Sequence, residues 1–208
     1  MPASRDRFLA AAVEEVVEGG YEATSVTAIA SRTGATPTEF RSHFNGKSDC
    51  CRCALEEICE RFDLQLLPVY LTIHPWRRRI RLAAYAAARF CGEHKMEIRF
   101  AIDEWRRGGR SPKAEASLCL HLEEVDRGRA EAAESSRIPL SAAELAVGAF
   151  LEVVVRADAE GRLMNLNEEI PALLYRATRT YLGGEAAEEE LRLTEPYWKA
   201  GADRKGRG

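Results

Sequence analysis

Thr24 to Asp49 reads TSVTAIASRTGATPTEFRSHFNGKSD, and this stretch decides the fold. Val26, Ile29 and Ala30 stand at i, i+3 and i+4, the spacing of one apolar helix face. Gly34 follows, where a helix ending in a left-handed cap wants glycine. Thr36-Pro37-Thr38-Glu39 then opens a second helix in two ways at once. Thr36 and Glu39 have capping-box spacing, and Pro37 takes the first helical position, where a missing N–H costs nothing. Phe40 and Phe44 give the second helix an apolar side. Thr38, Arg41, Ser42 and His43 make its other side short and polar. Two short helices joined by a glycine turn are the layout of a helix-turn-helix, whose second helix enters a DNA major groove.

The segment and the residues before it resemble the DNA-binding domain of TetR-family transcriptional regulators. The residues that carry the resemblance are Gly20-Tyr21, Thr24-Ser25-Val26, Ile29-Ala30, Gly34, Phe40, His43-Phe44, Lys47 and Asp49. It covers about the first quarter of the chain in motif detail, and the remainder in helical layout. The family's second helix usually carries a Gly-Thr pair where this chain has Thr38-Glu39, and a Tyr where it has Arg41. Arg41 could take over the Tyr's phosphate and base-edge contacts, or read guanine bidentately. Glu39 serves either the capping box or cytosine N4. The expected DNA-contacting residues are Thr24, Ser25, Thr36, Pro37, Thr38, Glu39, Arg41, Ser42, His43 and Lys47.

The 208 residues suit one small DNA-reading domain and one larger helical domain, and 46% hydrophobic residues suffice for a packed core. No apolar run is long enough to cross a membrane, and no signal peptide is visible, so a cytoplasmic protein is expected. The net charge of −3 is unusual for a protein that meets phosphate. The first domain holds Arg5, Arg7, Arg32, Arg41, Lys47 and Arg52, but also Asp6, Glu14, Glu15, Glu18, Glu22, Glu39 and Asp49. No basic stripe emerges. Hydroxyls and helix N-termini can carry phosphate contacts instead.

Almost everything reads as helix, so the expected class is all-α. A helix-turn-helix domain is expected over 1–46 and a ligand-binding and dimerisation domain over 47–208. Within the latter, a connecting helix is expected over 47–67, stopped by Pro68, and a frayed tail over 185–208, with Leu191, Leu193, Tyr197 and Trp198 as the residues able to pack back. The run Pro139 to Glu144 has capping-box spacing ahead of an apolar helix rich in small residues. The resemblance implies that the last two long helices form a four-helix dimer interface, through Ala146, Gly148, Ala149 and Val153 on one and Leu173, Leu174, Ala177 and Tyr181 on the other. It also implies an effector pocket, for which Phe62, Leu66, Tyr85, Phe90, Phe100, Trp105, Leu122 and Phe150 are the candidates. Asp103, Glu104 or His94 would select a cationic group.

These readings point to a homodimeric repressor that leaves a palindromic operator in double-stranded DNA when an apolar or aromatic effector binds. Two alternatives stay open. Cys50, Cys51, Cys53 and Cys59 could form a thiol or metal sensor, or could simply fill a packed helix. The helix-turn-helix could also have lost DNA binding and act through protein contacts. A Gly-rich phosphate loop, HExxH and GxSxG are all missing, and the four histidines have no partner spacing. No catalytic residue, metal ligand or cofactor is expected.

Overall fold

The computed structural model describes the backbone of residues 5–109 and 111–202 and the side chains of 5–109 and 111–193. Among these residues there are ten α-helices, three short 3-10 turns and no strand. The chain divides into two compact units, one within Met1–Arg61 and His94–Ser117, the other within Phe62–Glu93 and Leu118–Gly208. The first unit thus reaches beyond residue 46: it takes in much of the helix that follows, and a later helix as well.

In the first unit, α1 (Arg5–Gly19) buries Phe8, Leu9, Ala12, Val13 and Val16, a stripe of helical period. α2 (Val26–Arg32) is capped by Ser25, whose Oγ accepts from Ala28 N at 3.1 Å. Gly34 follows with φ +71°, a conformation costly for any residue with a Cβ, and so permits the tight turn. α3 (Pro37–Arg41) carries the full capping box: Thr36 N donates to Glu39 Oε2 at 2.8 Å, and Glu39 N donates to Thr36 Oγ1 at 3.2 Å. α4 (Lys47–Thr72) supplies Cys50, Cys51, Ala54, Leu55 and Ile58 to this core. Phe100, on α6 (Lys95–Arg106), completes it, and α6 packs on α1. Ser111 caps α7 (Pro112–Asp126), its Oγ accepting from Ala114 N at 3.1 Å.

Pro68 does not stop α4, which continues to Thr72. A proline in a helix interior removes one hydrogen bond and crowds the preceding turn, at about 3 kcal/mol. Leu66 and Tyr70 flank it and are buried in a cluster with Ala83 and Ala87. Burial of about 1.5–3 kcal/mol for each large side chain offsets that cost.

The second unit holds the end of α4, α5 (Trp76–Glu93), the end of α7, α8 (Ala142–Ala159), α9 (Ile170–Leu182) and α10 (Gly184–Ala202). Trp76 is buried against Tyr181 at 5.0 Å between ring centroids. Its ring leaves no room for a side chain at Gly128, where a Cβ would come within 2.5 Å. Ser141 precedes α8 without a side-chain cap, so the capping box expected there does not form; its φ and ψ of −81° and 7° are not the extended values a cap needs. The stretch expected to fray is helical from Gly184 to Ala202 and packs on α9. Glu190 is fully buried there, both of its oxygens bound by Arg81 Nη1 at 2.8 and 3.0 Å, with Arg77 Nε at 3.4 Å. Leu191 and Leu193 stay exposed, and the side chains of Tyr197 and Trp198 lie outside the described residues.

Candidate nucleic-acid interface and effector cavity

The polar side of α3 is exposed at Thr38, Arg41, Ser42 and His43. The turn of helix beneath it is held from inside. Phe40 is fully buried, with Phe8 edge-on at 5.4 Å and Phe44 at 5.3 Å. Arg41 has no side-chain partner among the described residues, so its guanidinium is available to a phosphate or a base edge. The Oγ of Ser42 donates back to Glu39 O at 2.6 Å, and His43 lies 5.7 Å from the Phe8 ring. Glu39 is occupied by the cap. The backbone N–H of Thr36, and then its hydroxyl, hold the Glu39 carboxyl below its ordinary range.

Several of the residues expected at DNA are engaged within the unit. Thr24 is buried, and its hydroxyl donates to Gly20 O at 2.9 Å. Lys47 donates to Tyr21 O at 2.5 Å and lies 4.0 Å over the Tyr21 ring, where Arg107 stacks as well at 3.3 Å. Arg32 ends α2 within reach of three carboxylates of α1: Glu14 at 3.0 Å, Glu15 at 2.7 Å and Glu18 at 2.5 Å. Arg7 donates to Thr33 O, Arg52 pairs with Asp49 and Glu56, and Arg5 faces Glu57 at 3.7 Å. Ser25 and Thr36, exposed and capping, remain beside Pro37 and Thr38 as hydroxyls and helix N-termini that can meet phosphate.

Two of the four clustered cysteines, Cys50 and Cys51, belong to core packing, and Cys53 and Cys59 are partly buried against that core. Cys50 and Cys51 are buried, and the Cys50 Sγ lies 3.7 Å from Phe8 O. Burial pushes the Cys50 thiol far up and the Cys51 thiol up to about 12. A thiol kept protonated is neither a nucleophile nor a metal ligand. Among the described residues, no group of three His, Cys, Asp or Glu side chains converges as metal ligands do.

The second unit contains a cavity of about 150 Å³. Phe62, Leu66 and Phe150 line it, as expected from the sequence. Phe90 is buried just behind, edge-on to Phe62 at 5.3 Å. Tyr85 and Leu122 do not line the cavity. Phe100 and Trp105 belong to the first unit, one in its core and the other 55% exposed; His94, Asp103 and Glu104 lie on that unit too. The walls are completed by small and branched residues of α5, α8 and α9, among them Ala83, Ala87, Ala146, Leu173, Leu174 and Ala177. The last four were expected at a dimer interface. The faces that carry them turn inward in the single chain, and Val153 and Tyr181 are buried there too, Tyr181 donating to Asp126 at 3.0 Å. α8 keeps another side open, with Leu145 68% exposed and nothing over the Gly148 Cα, while Leu151 lines the cavity. Ala149 is partly buried.

The lining has two polar side chains, Tyr70 and His121. The Tyr70 hydroxyl lies 3.0 Å from His121 Nδ1, and His121 Nε2 lies 3.0 Å from Asp63 Oδ1. Burial, then Glu124 and Asp63, push the Tyr70 phenol far up. Sequence reasoning missed this chain. Asp63 and Tyr70 are seven apart on one helix and share a face, but nothing in the sequence tied them to a histidine 51 residues beyond Tyr70.

Among the described residues the chain is all-helical, with a capped helix-turn-helix near its N-terminus and a cavity in its second unit. Residues 8–52 match the family of bacterial regulatory proteins described as the tetR family. A search of curated proteins gives no match. Similar solved structures include the fatty acid degradation regulator FadR from Bacillus halodurans, at 16% identity and TM-score 0.69, covering 83% of this chain and 93% of that one. FadR from Bacillus subtilis in complex with stearoyl-CoA is 17% identical, with TM-score 0.68 and coverage of 86% and 99%. SmeT, repressor of the multidrug efflux pump SmeDEF of Stenotrophomonas maltophilia, is 20% identical, with TM-score 0.67 and coverage of 86% and 90%. No helix of the described residues is long and apolar enough to cross a membrane.

Proposed function

We propose that this chain is a homodimeric repressor that holds a palindromic operator and is released when a small apolar or aromatic molecule enters the cavity of the second unit. The observation that carries the DNA half is the surface of α3. It is a capped helix with a buried aromatic underside, and Arg41 points outward without a partner. The open side of α8 supports the dimer, since Leu145 and Gly148 leave surface there for a second copy. Two such surfaces related by a two-fold axis read half-sites one helical turn apart. The cavity couples to them through α4, which contributes residues to both units. An effector acts only if it binds one position of α4 better than the other.

The test is Arg41→Ala against operator selected from a random DNA pool. Affinity for that operator falls by about 1–3 kcal/mol while affinity for random DNA is nearly unchanged. Equal losses on both would make Arg41 a phosphate contact and remove it from specificity. Light scattering checks the dimer, and a stable monomer at micromolar concentration would sink the palindrome.

A further inference from the structure

We propose that the cavity takes a neutral one-ring ligand bearing a single hydroxyl, a phenol or aryl alcohol, whose O–H is accepted by the Tyr70 oxygen at the end of the Tyr70–His121–Asp63 chain. The inference rests on the reading of this cavity as the effector site and narrows the effector to one chemical class.

Size gives the ring. The cavity is about 150 Å³, and a dry apolar cavity of about that volume holds one benzene. Phe62 stands edge-on to both Phe90 and His121, at 5.3 and 5.1 Å, and itself lines the space, so an aromatic guest meets an aromatic wall. Apart from Tyr70 and His121, every side chain in the lining is hydrocarbon.

Proton bookkeeping along the chain gives the hydroxyl and its direction. A carboxylate only accepts, so Asp63 takes the proton of His121 Nε2. In the neutral imidazole Nδ1 is then the acceptor, and the Tyr70 O–H donates to it. With its proton committed, Tyr70 has acceptor capacity left and no donor. A guest must therefore bring the hydrogen. Groups facing Tyr70 from the other helices do not alter this. On α7, Glu124 is a second carboxylate, which Arg79 of α5 meets at 3.6 Å, and Arg79 Nη1 donates to the Tyr70 carbonyl at 3.3 Å. A carboxylate guest would find no free donor among the lining side chains and would lie near Asp63. An ammonium guest would leave water for a largely hydrocarbon lining, and the two nearby carboxylates, Asp63 and Glu124, already face His121 and Arg79.

The test is ¹⁹F NMR titration of the full chain with 4-fluorophenol, 4-fluorotoluene and 4-fluorobenzoate. In the unsubstituted protein the phenol binds about tenfold tighter than the toluene, the size of one net hydrogen bond, and the benzoate binds weakest. Tyr70→Phe brings the phenol to within about twofold of the toluene and leaves the toluene unchanged. Asp63→Asn, which frees the imidazole to take its other tautomer, narrows the preference too, and serves if Tyr70→Phe does not melt cooperatively. Equal binding of phenol and toluene, tighter binding of benzoate, or a phenol preference that survives both variants would overturn the anchor and leave an apolar effector site standing. Failure of all three probes to bind would overturn the cavity as an effector site.

Discussion

The two interiors of this chain are filled on different principles. In the first unit Phe8, Phe40 and Phe44 meet with centroids 5.3 to 6.4 Å apart, closed by Ile29, Ala12, Cys50 and Phe100. In the second, alanines of α5, α8 and α9 face one another, and about 150 Å³ is left over. Charges follow a different division. The first unit keeps its arginine pairs at partly exposed sites, while the second buries Arg81 with Glu190. A surface that reads DNA needs a fixed underside, and large interlocked rings supply it. A site that admits a guest needs unfilled volume, and small residues on rigid helices supply that. The same sequence thus carries a filled interior and an open one.

The contrast breaks first at Phe40. Phe40→Ala leaves a hole among rings that cannot collapse, and stability falls by about 3–5 kcal/mol in urea denaturation. A loss under about 1 kcal/mol would mean that the aromatic core is not what holds α3. The next effect compares one substitution in both interiors. Ala12→Leu overpacks the first unit and costs about 1–3 kcal/mol. Ala87→Leu enters the cavity and is neutral or stabilising by about 1 kcal/mol, while it excludes the fluorinated probes. Equal losses at both positions would erase the distinction. The smallest effect is acid sensitivity at the start of α4. The backbone N–H of Asn45, and then Arg52, hold the Asp49 carboxyl below its ordinary range. Its contribution is therefore complete above the unfolded value of about 3.9 and is lost as pH falls through the lower folded value. Stability curves of the natural protein and Asp49→Asn converge below about pH 4 and separate above it, by no more than about 1 kcal/mol. Curves that separate on the acid side instead would reverse this reading.

The legible part of the molecule was the part whose causes are local. Ser25, Gly34, Thr36, Pro37 and Glu39 specify α2, the turn and α3 within a few residues of themselves, and each does in the structure what its type and spacing imply. Of the eight pocket candidates that the resemblance implies, Phe62, Leu66 and Phe150 line the cavity. What stayed hidden depended on distant partners. Pro68 reads as a stop because its penalty is local, whereas the burial that overrides it comes from α5. Phe100 reads as a pocket residue until α6 is seen to pack on α1. Ala146 and Leu174 are apolar enough for an interface between copies, and only the fold shows that they face inward. Glu190 belongs to the stretch expected to fray, and its partner Arg81 lies 109 residues away.

Arg32 among Glu14, Glu15 and Glu18, Lys47 on Tyr21 and Arg52 between Asp49 and Glu56 leave few mobile positive charges beside α3. Each phosphate neutralised on duplex DNA steepens the salt dependence of binding by about 0.9 in slope. A surface with so few cations to offer releases few counterions. On the function proposed above, its complex with operator would persist as ionic strength rises, and its grip on unrelated DNA would be weak from the outset. Such a protein would spend little time sliding along DNA, and would find its site by repeated short encounters in solution.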